Sequence, residues 1–249
     1  MKYFGLTDKG MVRAENQDCF SITEVKSKKA LIVALCDGMG GASAGGLASS
    51  ISNEAFVDYV QARLTSRVWR DPDYRQVLQS ACEEANGITY EYSGFSDDYA
   101  GLGTTLVAAV VSDSGRCTVV NVGDSRAYLI SAREKKIRQI TNDHSLVETY
   151  VRAGLITKEQ ARVHPQKNII TRALGSERTV ESDAFEAVLK KNDMLLLCSD
   201  GLSNNFSDEE LLQQALENPD PEIFCREMLR LTYLRGAADN VTIISVVRD

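Results

Sequence analysis

Apolar residues in this chain fall into two kinds of run. Short runs rich in β-branched residues occur at KYFGLT (2–7), ALIVALC (30–36), TTLVAAVV (104–111), CTVVNVG (117–123), AYLISA (127–132), MLLLCS (194–199) and VTIISVV (241–247). Their length and composition predict strands. Longer stretches carry apolar residues on a helical period. Residues 44–65 bring Leu47, Ile51, Ala55 and Val57 to one face, and residues 74–92 do so with Val77, Leu78, Ala81, Ala85 and Ile88. Ser207 with Glu210 three positions on is a capping-box pattern, and Pro221 suits the first turn of a last helix.

The order of these elements constrains the fold. Two long helices follow the second strand together, and several strands then succeed one another with short connections. That is not βαβ alternation, so a doubly wound parallel sheet is disfavoured. An α+β fold of antiparallel sheets with helices on their outer faces is expected, within one domain spanning 1–249. Residues 142–174 are more polar and read as two short helices and a loop inserted between strands, a length that commonly serves as a lid or binding loop.

Composition narrows the function classes. The formal charge is −7, and the basic residues are scattered, which argues against a nucleic-acid surface. The six cysteines form no CxxC pair, so neither a zinc site nor a dithiol motif is expected. No apolar leader opens the chain and no run approaches the roughly 18 residues of a membrane span. The expectation is a soluble, cytoplasmic protein with reduced thiols and no membrane span.

Five aspartates stand at the borders of apolar or Gly-rich segments: Asp18, Asp37, Asp124, Asp200 and Asp239. Carboxylates at the ends of buried strands are expected to converge at one edge of a sheet, where hard oxygen ligands suit Mg²⁺ or Mn²⁺. Each has a plainer alternative. Asp37-Gly38-Met39-Gly40-Gly41 could be a strand-to-helix turn. Gly123-Asp124-Ser125 between two strands reads, alone, as a hairpin turn. Ser199-Asp200-Gly201 is equally ambiguous, and Asp239-Asn240 could be a turn before a strand. Arg13 is a natural bidentate partner for a phosphate, yet a lone Arg is usually solvated surface.

Together these pieces form a series: VRAENQD, DGMGG, GTT, GDSRAYL, TNDHS, HPQKNIITRALG, CSDGL and ADNVTIISV, in order from residue 12 to residue 246. The series closely resembles the metal-dependent protein phosphatase (PPM, protein phosphatase 2C-like) family, in particular its short bacterial members. The resemblance implies an α-β-β-α sandwich with a flap at 142–174. It implies hydrolysis of phosphoserine and phosphothreonine by a metal-activated water at a dinuclear Mg²⁺/Mn²⁺ centre. On it, Asp37 bridges two ions, the Gly38 carbonyl binds the second, Asp18 binds that second ion directly or through its waters, and Asp200 and Asp239 hold the first. Asp124 with Asp200 matches a weaker third site. Arg13 matches the arginine that grips the substrate phosphate, and His164 a flap position that handles substrate.

The chain departs from some relatives at two places. Met39 stands where they carry a proposed general-acid His, and Gln17 where several carry an acidic residue. Only His144 and His164 exist, and His164 is an acid candidate by position alone. No Cys-x₅-Arg loop and no GxxxxGK[ST] occur, which disfavours tyrosine-phosphatase and P-loop chemistry. The leading expectation is a monomeric Ser/Thr phosphoprotein phosphatase whose partners are phosphorylated proteins and a cognate bacterial Ser/Thr kinase. A catalytically inactive sensory module and a two-metal phosphatase for small phosphoesters are the alternatives; every metal aspartate is present, against the first.

Overall fold

The computed structural model describes residues 1–40, 44–66, 73–95, 99 and 101–249. Gly41 of the DGMGG motif lies outside them. Two antiparallel sheets are stacked face to face. One runs β1 (Lys2–Asp8), β11 (Val241–Val247), β10 (Met194–Cys198), β7 (Arg126–Ser131) and β8 (Lys136–Gln139). The other runs β2 (Asp18–Val25), β3 (Ala30–Met39), β5 (Leu106–Ser112), β6 (Arg116–Val122) and β9 (Asp183–Val188), with the short β4 (Gly103–Thr104) paired to the end of β3. Helices α1 (Ala44–Thr65) and α2 (Tyr74–Ser93) pack on the second sheet. Helices α5 (Asp200–Ser203), α6 (Asp208–Glu217) and α7 (Pro221–Leu234) cover the first. The α-β-β-α arrangement is as expected.

Strand alternation divides the apolar residues into three layers. On β3, Leu31, Val33 and Leu35 point between the sheets, whereas Ile32, Ala34 and Cys36 point at α1 and α2. On β10, Leu195 and Leu197 join the layer between the sheets, and Met194, Leu196 and Cys198 face α6 and α7. Central strands are thus buried on both faces, which is why their sequences are continuous apolar runs rather than alternating ones. The thiols follow the same division. Cys36 of β3 and Cys82 of α2 lie in the layer between the second sheet and its helices, Cys117 between the sheets, and Cys198 of β10 and Cys225 of α7 in the layer between the first sheet and its helices. All five are buried and unpaired. Burial pushes the Cys82, Cys117, Cys198 and Cys225 thiols up to about 12, and Cys36 well above its ordinary value.

The helix boundaries follow their capping chemistry. Ser207 accepts the Glu210 N–H while Glu210 accepts the Ser207 N–H, closing the expected capping box. Asp220 caps α7 with Pro221 in its first turn. The flap carries α3 (Leu146–Arg152) and α4 (Lys158–Arg162) between β8 and β9.

Two expectations need correction. The aspartates do not gather along one sheet edge, because they come from both sheets. Gly123-Asp124-Ser125 is not a hairpin turn either: β6 and β7 belong to different sheets, and this segment crosses between them. Gly123 makes the crossing with φ +103°, its Cα facing the Thr105 side chain so closely that a Cβ would lie 2.6 Å from Thr105 Cγ2.

Leu197 is fully buried between the sheets, whereas Val163 on the flap is 82% exposed. Leu197→Ala is expected to destabilise the protein by about 2–5 kcal/mol in urea unfolding, through lost transfer energy and a residual cavity. Val163→Ala is expected to leave the midpoint unchanged.

Candidate active site

The β2–β3 register sets Asp18 opposite Asp37. At the next position the Gly38 N–H donates to Gln17 O at 3.1 Å. A Cβ on Gly38 would come 2.0 Å from Gly45 O, so α1 can pass over this strand end only above a glycine. The Asp37 backbone is held on its other side by β4 and the residue after it. Its N–H donates to Thr105 Oγ1 at 3.0 Å, and its carbonyl accepts from Thr104 Oγ1 and from the Thr105 N–H, both at 2.9 Å. Thr105 Oγ1 in turn lies 2.7 Å from Ser125 Oγ, beside Asp124. The GTT segment therefore ties the Asp37 strand end to the Asp124 crossing.

The other sheet supplies Asp200, directly after β10, and Asp239, just before β11. The two sheets meet at Asp18. Its Oδ2 accepts from Ser199 Oγ at 2.8 Å and Thr242 Oγ1 at 2.6 Å, at the ends of β10 and β11. Its Oδ1 is buried without a hydrogen-bond partner. Ser199 and Thr242 carried no signal in the sequence beyond being hydroxyls at the ends of apolar strands.

Like charges confined here repel. Burial pushes the Asp37 carboxyl well above the usual carboxylate range, with Asp18, Asp200, Asp124 and Asp239 adding repulsion in that order. Burial also raises Asp124 to about 8, with further repulsion from Asp200 and Asp143. Asp18 and Asp200 rise to about 6, again mainly through burial. Among the described residues, no three carboxylate, imidazole or thiol groups form a closed metal cage. Three of the aspartates are turned to protein partners: Asp18 to the hydroxyls above, Asp200 to Asn204 Nδ2 at 3.0 Å, and Asp239 to Arg13.

Arg13 forks onto Asp239, with Nε–Oδ1 and Nη2–Oδ2 both at 2.7 Å. The guanidinium thus stands beside the carboxylates, paired with one of them. Its loop is held by Asn240, whose Oδ1 accepts the Gln17 N–H and whose Nδ2 donates to Lys9 O and Glu15 O, each at 2.9 Å. Read in sequence as a mere turn former, Asn240 is a buried strut. Behind it, a Cβ on Gly201 would sit 1.9 Å from Asn240 O.

The flap base is locked to the crossing. The His144 N–H donates to Gly123 O at 2.9 Å, and His144 Nδ1 accepts the Gly123 N–H at 3.1 Å. Burial lowers the His144 pKa, so the ring is neutral, with its Nε2 3.3 Å from Asp183 Oδ2. His164 is not brought to the aspartates by its contacts. Its ring meets the edge of Tyr150 at 5.9 Å, and its Nδ1 accepts the Gln166 N–H. Between the flap and the α5–α6 segment runs a cleft of about 520 Å³, with Asp124 and Asp200 in its wall. Arg126, Lys158, Arg162 and Lys167 also line it.

Residues 12–227 match the family model described as protein phosphatase 2C. The chain belongs to the protein phosphatase 2C family. It is 36% identical over 250 residues to the serine/threonine phosphatase stp of Listeria monocytogenes serotype 4b (strain F2365), covering 98% of this chain and 94% of that protein. The Staphylococcus aureus serine/threonine phosphatase Stp1 superposes with a TM-score of 0.89 at 34% identity, over 99% of this chain and 94% of that one. The catalytic domain of the serine threonine protein phosphatase PstP, solved in complex with two manganese ions, gives a TM-score of 0.81 at 32% identity, covering 100% and 98%. The α-β-β-α sandwich described above is thus shared along the whole phosphatase 2C chain.

The raised carboxylates give this phosphatase 2C domain a definite pH response. Each has a folded-state pKa above its ordinary 3.8, so the folded protein holds protons that the unfolded chain releases. The stability tied to those protons is complete below pH 3.8, and is lost as pH rises through about 6 for Asp18 and Asp200 and about 8 for Asp124. In chelator, the thermal midpoint is expected to fall between pH 5 and pH 8 by way of this cluster. Millimolar Mn²⁺ is expected to restore it at pH 8, where it competes with few protons. A midpoint that is flat with pH and indifferent to Mn²⁺ would contradict a clustered site.

Proposed function

We propose that this chain is a metal-dependent protein serine/threonine phosphatase, hydrolysing phosphoserine and phosphothreonine monoesters, with residues 1–249 acting as one catalytic unit. The observation that carries the reading is the convergence of five aspartates from both sheets and their crossing, with Arg13 beside them. Its support from comparison is family membership along the whole chain.

The residues fit a divalent centre. The donors are hard oxygens, as Mg²⁺ and Mn²⁺ prefer. Asp18 Oδ1 is buried with no donor to meet it, and the carboxylates repel one another in the absence of cations. Asp37, the Gly38 carbonyl and Asp18 would hold one ion, and Asp37, Asp200 and Asp239 the other, with Asp124 and Asp200 available to a third. A bound ion pair supplies an activated water near neutral pH and positive charge against the phosphoryl oxygens.

The chain's own residues supply the rest. Arg13 is held by Asp239 through both fork nitrogens; once that carboxylate turns to an ion, the planar fork would be free to take two phosphate oxygens and orient the ester for in-line attack. Thr104 and Thr105 hold the Asp37 strand end, and Ser199 and Thr242 hold Asp18, so the carboxylates need little rearrangement during the reaction. The cleft beside Asp124 and Asp200 gives residues flanking the phosphorylated one a place to lie. His164, on the flap, is a candidate contact for that segment. The partners are phosphorylated proteins, among them a Ser/Thr kinase whose action this enzyme reverses, and the enzyme works as a cytoplasmic monomer. Among the described residues no helix is long and apolar enough to cross a membrane.

Phosphate release from a phosphothreonine peptide tests the reading. With Mn²⁺ the wild type is expected to turn over and with chelator to stop. Asp37→Asn and Asp239→Asn are each expected to lower kcat by at least about 100-fold, the scale of losing one preorganised electrostatic group. Undiminished turnover in both variants, or cleavage of small phosphoesters but never of phosphopeptides, would overturn it.

A further inference from the structure

Arg13 sits in a segment, residues 9–17, that makes no helix or strand of its own. Its side chain is 54% exposed, so packing does not fix it. Yet the guanidinium stands 2.7 Å from Asp239. Something must place this loop against the start of β11, because a phosphate clamp displaced by about 1 Å can cost around 100-fold in rate.

Besides the bonds of Gly10 N–H to Asp8 Oδ1 and of Asn16 Nδ2 to Thr7 Oγ1, three contacts of the loop fall on one side chain. Asn240 is 6% exposed, and its amide meets the loop at three points: the carbonyls of Lys9 and Glu15 and the N–H of Gln17. These points span the loop on both sides of Arg13. The amide's orientation is fixed by its partners, since the oxygen faces a donor and the nitrogen faces two carbonyls. No other side chain of this size offers two donors and an acceptor: Asp lacks the donors, and Ser is too short to span the three points. The loop also lies directly on the backbone before Asn240. Met11 N–H donates to Ala237 O at 2.8 Å, and a Cβ on Gly10 would fall 2.3 Å from Asp239 O. The Asn240 N–H meanwhile donates to Asp239 Oδ1 at 2.9 Å. One residue therefore touches Asp239 through its main chain and the Arg13 loop through its side chain.

We propose that Asn240 is a positioning residue that anchors the backbone of the Arg13 loop beside Asp239, so that Arg13 stays in reach of the carboxylate centre when its ion pair with Asp239 opens. The inference rests on the phosphatase reading only for the role of Arg13. Substitution of the side chain removes the hold on the loop and leaves the main-chain bond to Asp239 in place. Asn240→Ala should therefore weaken substrate use while Mn²⁺ affinity, measured by calorimetry, stays unchanged.

Kinetics on a phosphothreonine peptide should be compared in wild type, Asn240→Ala, Arg13→Ala and the double variant. Asn240→Ala is expected to lower kcat/KM by about 10- to 100-fold in the wild-type background. In the Arg13→Ala background it is expected to have almost no further effect, because residues acting as a unit are non-additive. Equal losses in both backgrounds, or a parallel loss of Mn²⁺ affinity, would overturn the proposal. Amide hydrogen exchange supplies an arm that needs no turnover. The Gln17 amide should exchange faster in Asn240→Ala while amides of central β3 and β11 keep their protection; unchanged Gln17 protection overturns the clamp. If the wild type cleaves no phosphopeptide, the phosphatase reading falls and the exchange data alone decide the clamp. Should Asn240→Ala fail to fold, Asn240→Ser carries the same comparison.

Discussion

Repulsion among carboxylates is the constraint around which this molecule is arranged. Asp37 alone feels four other aspartates, in a place where burial already disfavours charge. Left to relax, those side chains would swing apart into water. They are kept together because each is mounted on an element that cannot move independently. Asp18 and Asp37 are paired across one sheet, Asp200 and Asp239 flank strands of the other, and Asp124 lies on the crossing between them. The apolar layer between the sheets, with Leu35, Leu197 and Ile244 fully buried, opposes their separation.

The fixing extends to the smallest groups. Gly38 and Gly201 are places where backbone passes backbone with no room for a methyl group. Hydroxyls do the fine placement, with Thr105 and Ser125 joining Asp37 to the crossing and Ser199 and Thr242 joining Asp18 to the opposite sheet. A site that acts by electrostatics needs this rigidity, because dipoles and charges that reorganise during reaction lose much of their effect.

The central strands could be read from the sequence because they are buried on both faces. ALIVALC, TTLVAAVV and VTIISVV had to be continuously apolar, and they announced themselves. The strands the sequence concealed, β2, β8 and β9, all lie at sheet edges. Their residues are mostly half-buried or exposed, so DCFSITEV, KIRQ and DAFEAV show no apolar run. The aspartates were legible singly as strand-end residues. Their convergence was not, because it depends on which strands share a sheet, and the Asp124 segment looked like a hairpin until β6 and β7 proved to lie in different sheets. Asn240 was passed over for a related reason. Its partners are main-chain atoms of a loop more than 220 residues away, which leave no side-chain pattern to read.

The thiols have a use that their chemistry conceals. Each buried layer holds at least one cysteine, and none is paired: Cys36 and Cys82 between the second sheet and its helices, Cys117 between the sheets, Cys198 and Cys225 between the first sheet and α7. Protonated and shielded, they are slow to react with alkylating reagents in the folded molecule. Once a layer opens, its thiol returns to ordinary reactivity. The chain therefore carries native clocks in all three layers, and their labelling order under mild denaturant records which layer parts first.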